Sequence, residues 1–131
     1  MPVAAKIDIA ARIVRTTASG LLSRADFVTH NETTWCDEAI AGFDEIVDAT
    51  SADAPQLSAT DLAEIVNSGV TFDPNNEARL AVCVDCELAY GLGRMFSMMR
   101  ETHTENTRAV KIFKDLETAE ARIAEPRGLS S

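Results

Sequence analysis

Apolar and polar residues alternate along this chain with two periods. From Ile7 to Ala18 they interleave with β-branched types (Ile7, Ile9, Ile13, Val14, Thr16, Thr17), which predicts one bent strand or a hairpin closed at Ser19-Gly20. The period then lengthens. Leu22-Ser23-Arg24-Ala25-Asp26-Phe27 carries a cap, an acid three residues later and apolar residues on either side, the grammar of a capping box with a hydrophobic staple. A helix is expected from there to about Thr34, with Trp35 and Ile40 covering its far end and Gly42 as a stop.

The alternation repeats. Glu45 to Thr50 (EIVDAT) predicts a short buried strand, followed by a loop with Pro55. Leu57-Ser58-Ala59-Thr60-Asp61-Leu62 repeats the helix-start grammar, and Leu62, Ile65 and Val66 give the next helix its apolar face up to Gly69. Asp73-Pro74-Asn75-Asn76 is a turn cluster. Ala78 to Val84 (ARLAVCV) is nearly all apolar, as in a strand covered on both faces. Asp85 is placed to cap a third helix, in which Leu88, Leu92, Met95, Phe96 and Met99 are expected on one buried face. Arg108 to Phe113 predicts a further strand. Asp115 would cap a last helix through Leu116, Ala119 and Ile123, stopped by Pro126. The order is ββαβαβαβα: one α/β domain over residues 1–131, with a core at 7–124, a tail at 127–131 and a largely parallel or mixed sheet of four or five strands with helices packed against it.

Composition narrows the roles. The formal charge is −9 with 46% hydrophobic residues, which disfavours a nucleic-acid partner because backbone binding needs clustered Lys and Arg. No apolar run is long enough to insert into a membrane, and the amino terminus lacks the pattern of a signal peptide. Three cysteines do not suggest a disulfide framework, so a cytoplasmic setting is expected.

Four segments in this order carry a resemblance: Gly20 to Asp26 (G-L-x-S-x-x-D), Val47-Asp48 with Leu57 to Leu62 (L-S-x-x-D-L), Ala89 to Met95 (A-Y-G-x-x-R-M) and Val110 to Ala119. Together they resemble the STAS domains with the SpoIIAA-like, anti-anti-sigma fold, in a divergent branch of stand-alone bacterial proteins. The resemblance covers about residues 7–124. It implies a non-enzymatic regulatory or protein-interaction module, with a protein partner or a homo-oligomer and no cofactor. It also suggests, as an alternative, a carrier of a small apolar or lipid-like ligand.

Individual residues add candidates. In the resembling proteins a helix-start serine is phosphorylated, and Ser58 falls near that place, though it lies in Leu57-Ser58-Ala59-Thr60 without the family's preceding Asp and following Gly. Ser23 has the same context, so a helix cap explains both. Cys83-Val84-Asp85-Cys86 sits between strand and helix, the setting of thiol redox chemistry. Cys83 would however end a buried strand, and no Pro is placed to face the pair. Cys36, His30 and His103 are at no metal-ligand spacing, and both histidines read as solvated surface residues. In Gly91-Leu92-Gly93, small residues are expected to let the helix approach a neighbour. Tyr90, Arg94, Met95, Met98 and Met99 form the expected ligand or partner surface.

Overall fold

A computed structural model describes residues 3–35, 37–53, 57–72, 78–102 and 109–125. Pro55, the 73–76 turn cluster, Cys36, His103, Arg108, Pro126 and the 127–131 tail lie outside the described residues. The order is β1 (Val3–Asp8), β2 (Ile13–Leu21), α1 (Arg24–Thr34), a 3-10 turn (Glu38–Ile40), β3 (Asp44–Asp53), α2 (Ala59–Phe72), β4 (Arg79–Cys83), α3 (Glu87–Thr102), β5 (Ala109–Phe113) and α4 (Leu116–Ala124). This is the ββαβαβαβα order expected from the periodicity.

The amino-terminal segment is a hairpin, with Val3 opposite Ala18 and Asp8 opposite Ile13. Arg12 takes a positive φ of 58° in its tight connection. The five strands lie in the order β1-β2-β3-β4-β5, antiparallel between β1 and β2 and parallel thereafter. Parallel crossovers are right-handed. A sheet that advances in one direction therefore lays every crossover helix on the same face, and α1, α2 and α3 accordingly pack side by side. The chain leaves β5 without another strand to reach, so α4 folds back over β3, β4 and β5 on the opposite face.

Each face has its own core. Against α4 lie Ile46, Ala81, Cys83, Ala119 and Ile123. Against the crossover helices lie Val47, Leu80 and Val110, with Phe96 and Ile112 packed on them, while Val14, Trp35, Ile40 and Phe43 close one end. The buried pair of Arg79 and Asp44 binds α4 in place. Asp44 accepts the Arg79 backbone N–H at 2.7 Å and its guanidinium at 3.0 Å, and the guanidinium also donates to the carbonyls of Arg122, Ile123 and Glu125. One cation thus satisfies the open carbonyls at the end of α4, where a positive charge is favourable.

Some boundaries differ from the periodic reading. Helix α2 does not stop at Gly69 but runs to Phe72. Gly69 is an interior close-approach position: a Cβ there would lie 2.8 Å from Nη1 of Arg100 on α3. Gly93 likewise lets α3 sit against β5, since its Cβ would come 3.1 Å from Ile112, whereas Gly91 meets nothing within 4 Å. Helix α3 begins at Glu87, and the carbonyl that accepts its first bond, from Tyr90, belongs to Cys86 rather than Asp85. Asp115 does cap α4, accepting from the Thr118 hydroxyl and from the Thr118 N–H, each at 2.7 Å, and these two bonds lower its pKa.

Candidate functional site

Strand β3 is longer than EIVDAT because it continues past an irregularity. Between Thr17 and Ser19 on β2, the pairing on β3 advances from Asp48 to Ser51. The Asp48 carboxylate accepts from the Thr50 N–H at 3.1 Å and the Thr50 hydroxyl at 2.6 Å, which stabilises this bulge. Ala49 within it and Ala52 beyond it both turn small side chains toward the crossover helices.

The space left between sheet and helices is a cavity of about 130 Å³. Its walls are mostly apolar: Phe27 from α1, Leu62 and Ile65 from α2, Leu92 and Phe96 from α3, and Val47, Leu80 and Val82 from the sheet. Alternation explains the sheet contribution, since Glu45, Val47 and Ala49 share one face of β3 while Ile46 faces α4.

One part of the wall is polar. Glu45 is 6% exposed and His30 is 8% exposed. A Glu45 carboxylate oxygen (Oε2) lies 2.7 Å from His30 Nε2 and accepts the Thr16 hydroxyl at 2.7 Å. The second ring nitrogen of His30 lies 3.3 Å from the Thr34 hydroxyl. Burial lowers the His30 pKa, but the hydrogen bond and charge of Glu45 outweigh it, and the net shift is upward. His30 is therefore not the solvated histidine its position near a helix end suggested. Residue 30 lies on the same side of α1 as Phe27, the side that meets the sheet, where Glu45 requires a partner. A glutamate within the apolar run of β3 was the available signal for a buried cation, because a lone buried carboxylate is costly. Asn31, one residue on, also lines the cavity and donates to Ser68 of α2 at 2.8 Å, tying the two helices together there.

The expected surface on α3 lies elsewhere. The helix turns Ala89, Leu92, Gly93, Phe96 and Arg100 into the cavity. Tyr90, Arg94, Met95, Met98 and Met99 are not among its lining residues. Leu88 and Met95, expected on the buried face, are 61% and 40% exposed, and Met98 is 61% exposed. The reason is rotational: a helix between one sheet face and a neighbour buries the stripe holding Gly93 and Arg100, and Leu88 and Met95 fall more than a third of a turn away. Tyr90 is half-buried beneath the Lys114 ammonium, which lies 4.8 Å from its ring centre.

Ser58 is exposed at the start of α2. Its hydroxyl accepts the Asp61 N–H at 3.1 Å while Asp61 accepts the Ser58 N–H at 3.0 Å, the reciprocal bonds of a capping box. Ser23 begins α1 with its N–H donating to Asp26 at 2.8 Å. Replacing Ser58 by Ala is expected to lower stability by about 1 kcal/mol in urea unfolding, whereas Ser58→Asp, which caps equally well, should leave it unchanged. Cys83 and Cys86 are both free thiols. Cys83 is buried on the α4 face, remote from the cavity, and burial with nearby carboxylates pushes its pKa up to about 11; Cys86 is exposed. The described residues hold no group of three or more metal-ligating side chains, and no described helix is long and apolar enough to cross a membrane.

A sheet that advances strand by strand from an antiparallel edge, with three crossover helices on one face and a fourth on the other, is a SpoIIAA-like α/β fold. An uncharacterised protein of the DUF3478 family with that fold, from Shewanella loihica PV-4, is similar over 92% of this chain and 93% of its own. The TM-score is 0.59 and the sequence identity 16%. No protein-family model and no curated protein matches the chain. The shared property is the fold, as the four sequence segments led one to expect.

Proposed function

We propose that this chain is a binding protein for a small, largely apolar ligand held between the sheet and α1–α3. The observation that carries this reading is the cavity itself. Close-packed interiors contain few voids larger than a water molecule, yet about 130 Å³ is left open here among Phe27, Leu62, Leu80 and Phe96. A cavity of roughly 150 Å³ lined by apolar side chains is known to accept benzene. The match in size favours a ligand of about one ring over a long acyl chain, which is several times larger. Native mass spectrometry of the purified chain tests the reading: a retained mass, or one acquired on exposure to toluene vapour, supports it. A chain that neither retains nor acquires such a ligand argues against it.

A second reading, a non-enzymatic regulatory or protein-interaction module, is supported by the outer side of α3. Leu88, Met95 and Met98 expose apolar surface there, and flexible methionines suit adaptable contacts. The two readings use opposite sides of one helix. Met95→Glu with Met98→Glu would abolish capture of a protein partner and leave ligand binding unchanged.

A further inference from the structure

The polar part of the cavity wall restricts what chemistry a guest can bring. It is assembled from three elements: Thr16 of β2, His30 of α1 and Glu45 of β3, with Asn31 of α1 beside them already donating to Ser68 at 2.8 Å. The carboxylate and the imidazole are 2.7 Å apart, so the carboxylate charge is met within the wall itself. An anionic guest would have to leave water for a wall that already holds a carboxylate. A hydroxyl fits better. Its proton can be donated to Glu45, and its oxygen can accept from the Thr16 hydroxyl once that rotates. α2 contributes only apolar side chains to this lining, with Leu57 just ahead of it, and β4 only Leu80, Val82 and, after its end, Val84. α3 adds one further charge, Arg100, whose guanidinium is held against Gly69 of α2. Arg100 is the competing anchor for an anion, and a test has to distinguish the two.

Resting on the reading of the cavity as a ligand site, we propose that its ligand is a neutral molecule of about one ring in size, carrying a hydroxyl that bonds to the Thr16–His30–Glu45 cluster. The ring fills the apolar space between Phe27, Leu62, Leu80 and Phe96. Specificity then lies in the hydroxyl, because a site built to bond one leaves buried polar groups unpaired when an analogue lacks it.

Three probes share one ring and one methyl group and differ only in the second substituent: toluene, p-cresol and p-toluate. Titration of the full chain, followed calorimetrically, is expected to show toluene binding, p-cresol binding about tenfold tighter, and p-toluate weaker than toluene. Glu45→Gln should cut the p-cresol advantage to about threefold or less and leave toluene affinity within about twofold. If Glu45→Gln does not fold, Thr16→Val, which removes one hydroxyl at nearly constant shape, is expected to diminish the same ratio. Equal affinities for toluene and p-cresol, or tightest binding of p-toluate, would overturn the hydroxyl assignment and leave the cavity as a ligand site. Failure of all three probes to bind would remove the cavity reading itself.

Discussion

Arg79→Met is expected to destabilise the fold by about 3–5 kcal/mol, the cost of breaking a buried ion pair by removing one partner. At this chain length that corresponds to a fall of roughly 10–20 °C in the midpoint of thermal unfolding. The origin is specific. Methionine fills much of the space of the arginine stem but donates nothing, so the buried Asp44 keeps the residue-79 backbone N–H and loses the guanidinium. At the same time the carbonyls of Arg122, Ile123 and Glu125 lose their shared donor. The loss is expected to be largest in α4, since Arg79 is what holds that helix end to the starts of β3 and β4. Amide hydrogen exchange should therefore accelerate first at Ala119 to Ile123 and only later in α1 and α2. Adding Asp44→Leu to Arg79→Met should restore part of the stability, because the uncompensated carboxylate is then gone. A double variant no more stable than Arg79→Met alone would mean that the helix-end bonds, rather than the ion pair, carry the effect.

Arg79 also shows where reading from sequence reaches its limit. The periodic signals gave the element order and the single parallel-rich sheet, because alternation at two residues and at three to four are properties of local stretches. The capping boxes at Ser23 and Ser58 were equally legible, since the bonds they make span only three residues. The partners that matter most to the core do not lie close in sequence. Arg79 meets Asp44 across 35 positions, and Glu45 meets His30 across 15. Nothing local distinguishes Arg79, the first residue of an apolar strand, from an edge residue reaching solvent. The rotation of α3 was lost for a related reason. Its apolar residues occupy more than half the circumference, and only the close approach of Gly93 to Ile112 and of Gly69 to Arg100 selects the buried stripe. The fold could be named from motifs. The cavity could not, because a void is defined by what several distant segments fail to fill.

The second large effect concerns that cavity wall. Glu45→Gln is expected to cost about 1.5–3 kcal/mol near pH 6, the worth of hydrogen bonds to a charged group, and to reverse the pH dependence of stability in the range governed by His30. In the natural chain the His30 pKa is raised by Glu45. The folded state then holds a proton that the unfolded chain releases above about pH 6.5, the ordinary histidine value. The pair's contribution is complete below that value and declines as pH rises through the raised folded value. Glutamine keeps the shape and removes the charge, so burial alone acts on His30 and depresses its pKa. The variant should accordingly lose stability as pH falls through about 6.5, where the unfolded chain takes up a proton that the folded chain refuses. Urea unfolding of both proteins between pH 5 and pH 8 measures the two slopes. The upper limit keeps Cys83 protonated, since its raised pKa introduces a separate loss of stability at higher pH. His103→Gln in each background removes the other histidine from the comparison. Parallel slopes in the two proteins would show that His30 carries no proton in the folded state, and the hydroxyl seat would then be built on a neutral imidazole beside a carboxylate.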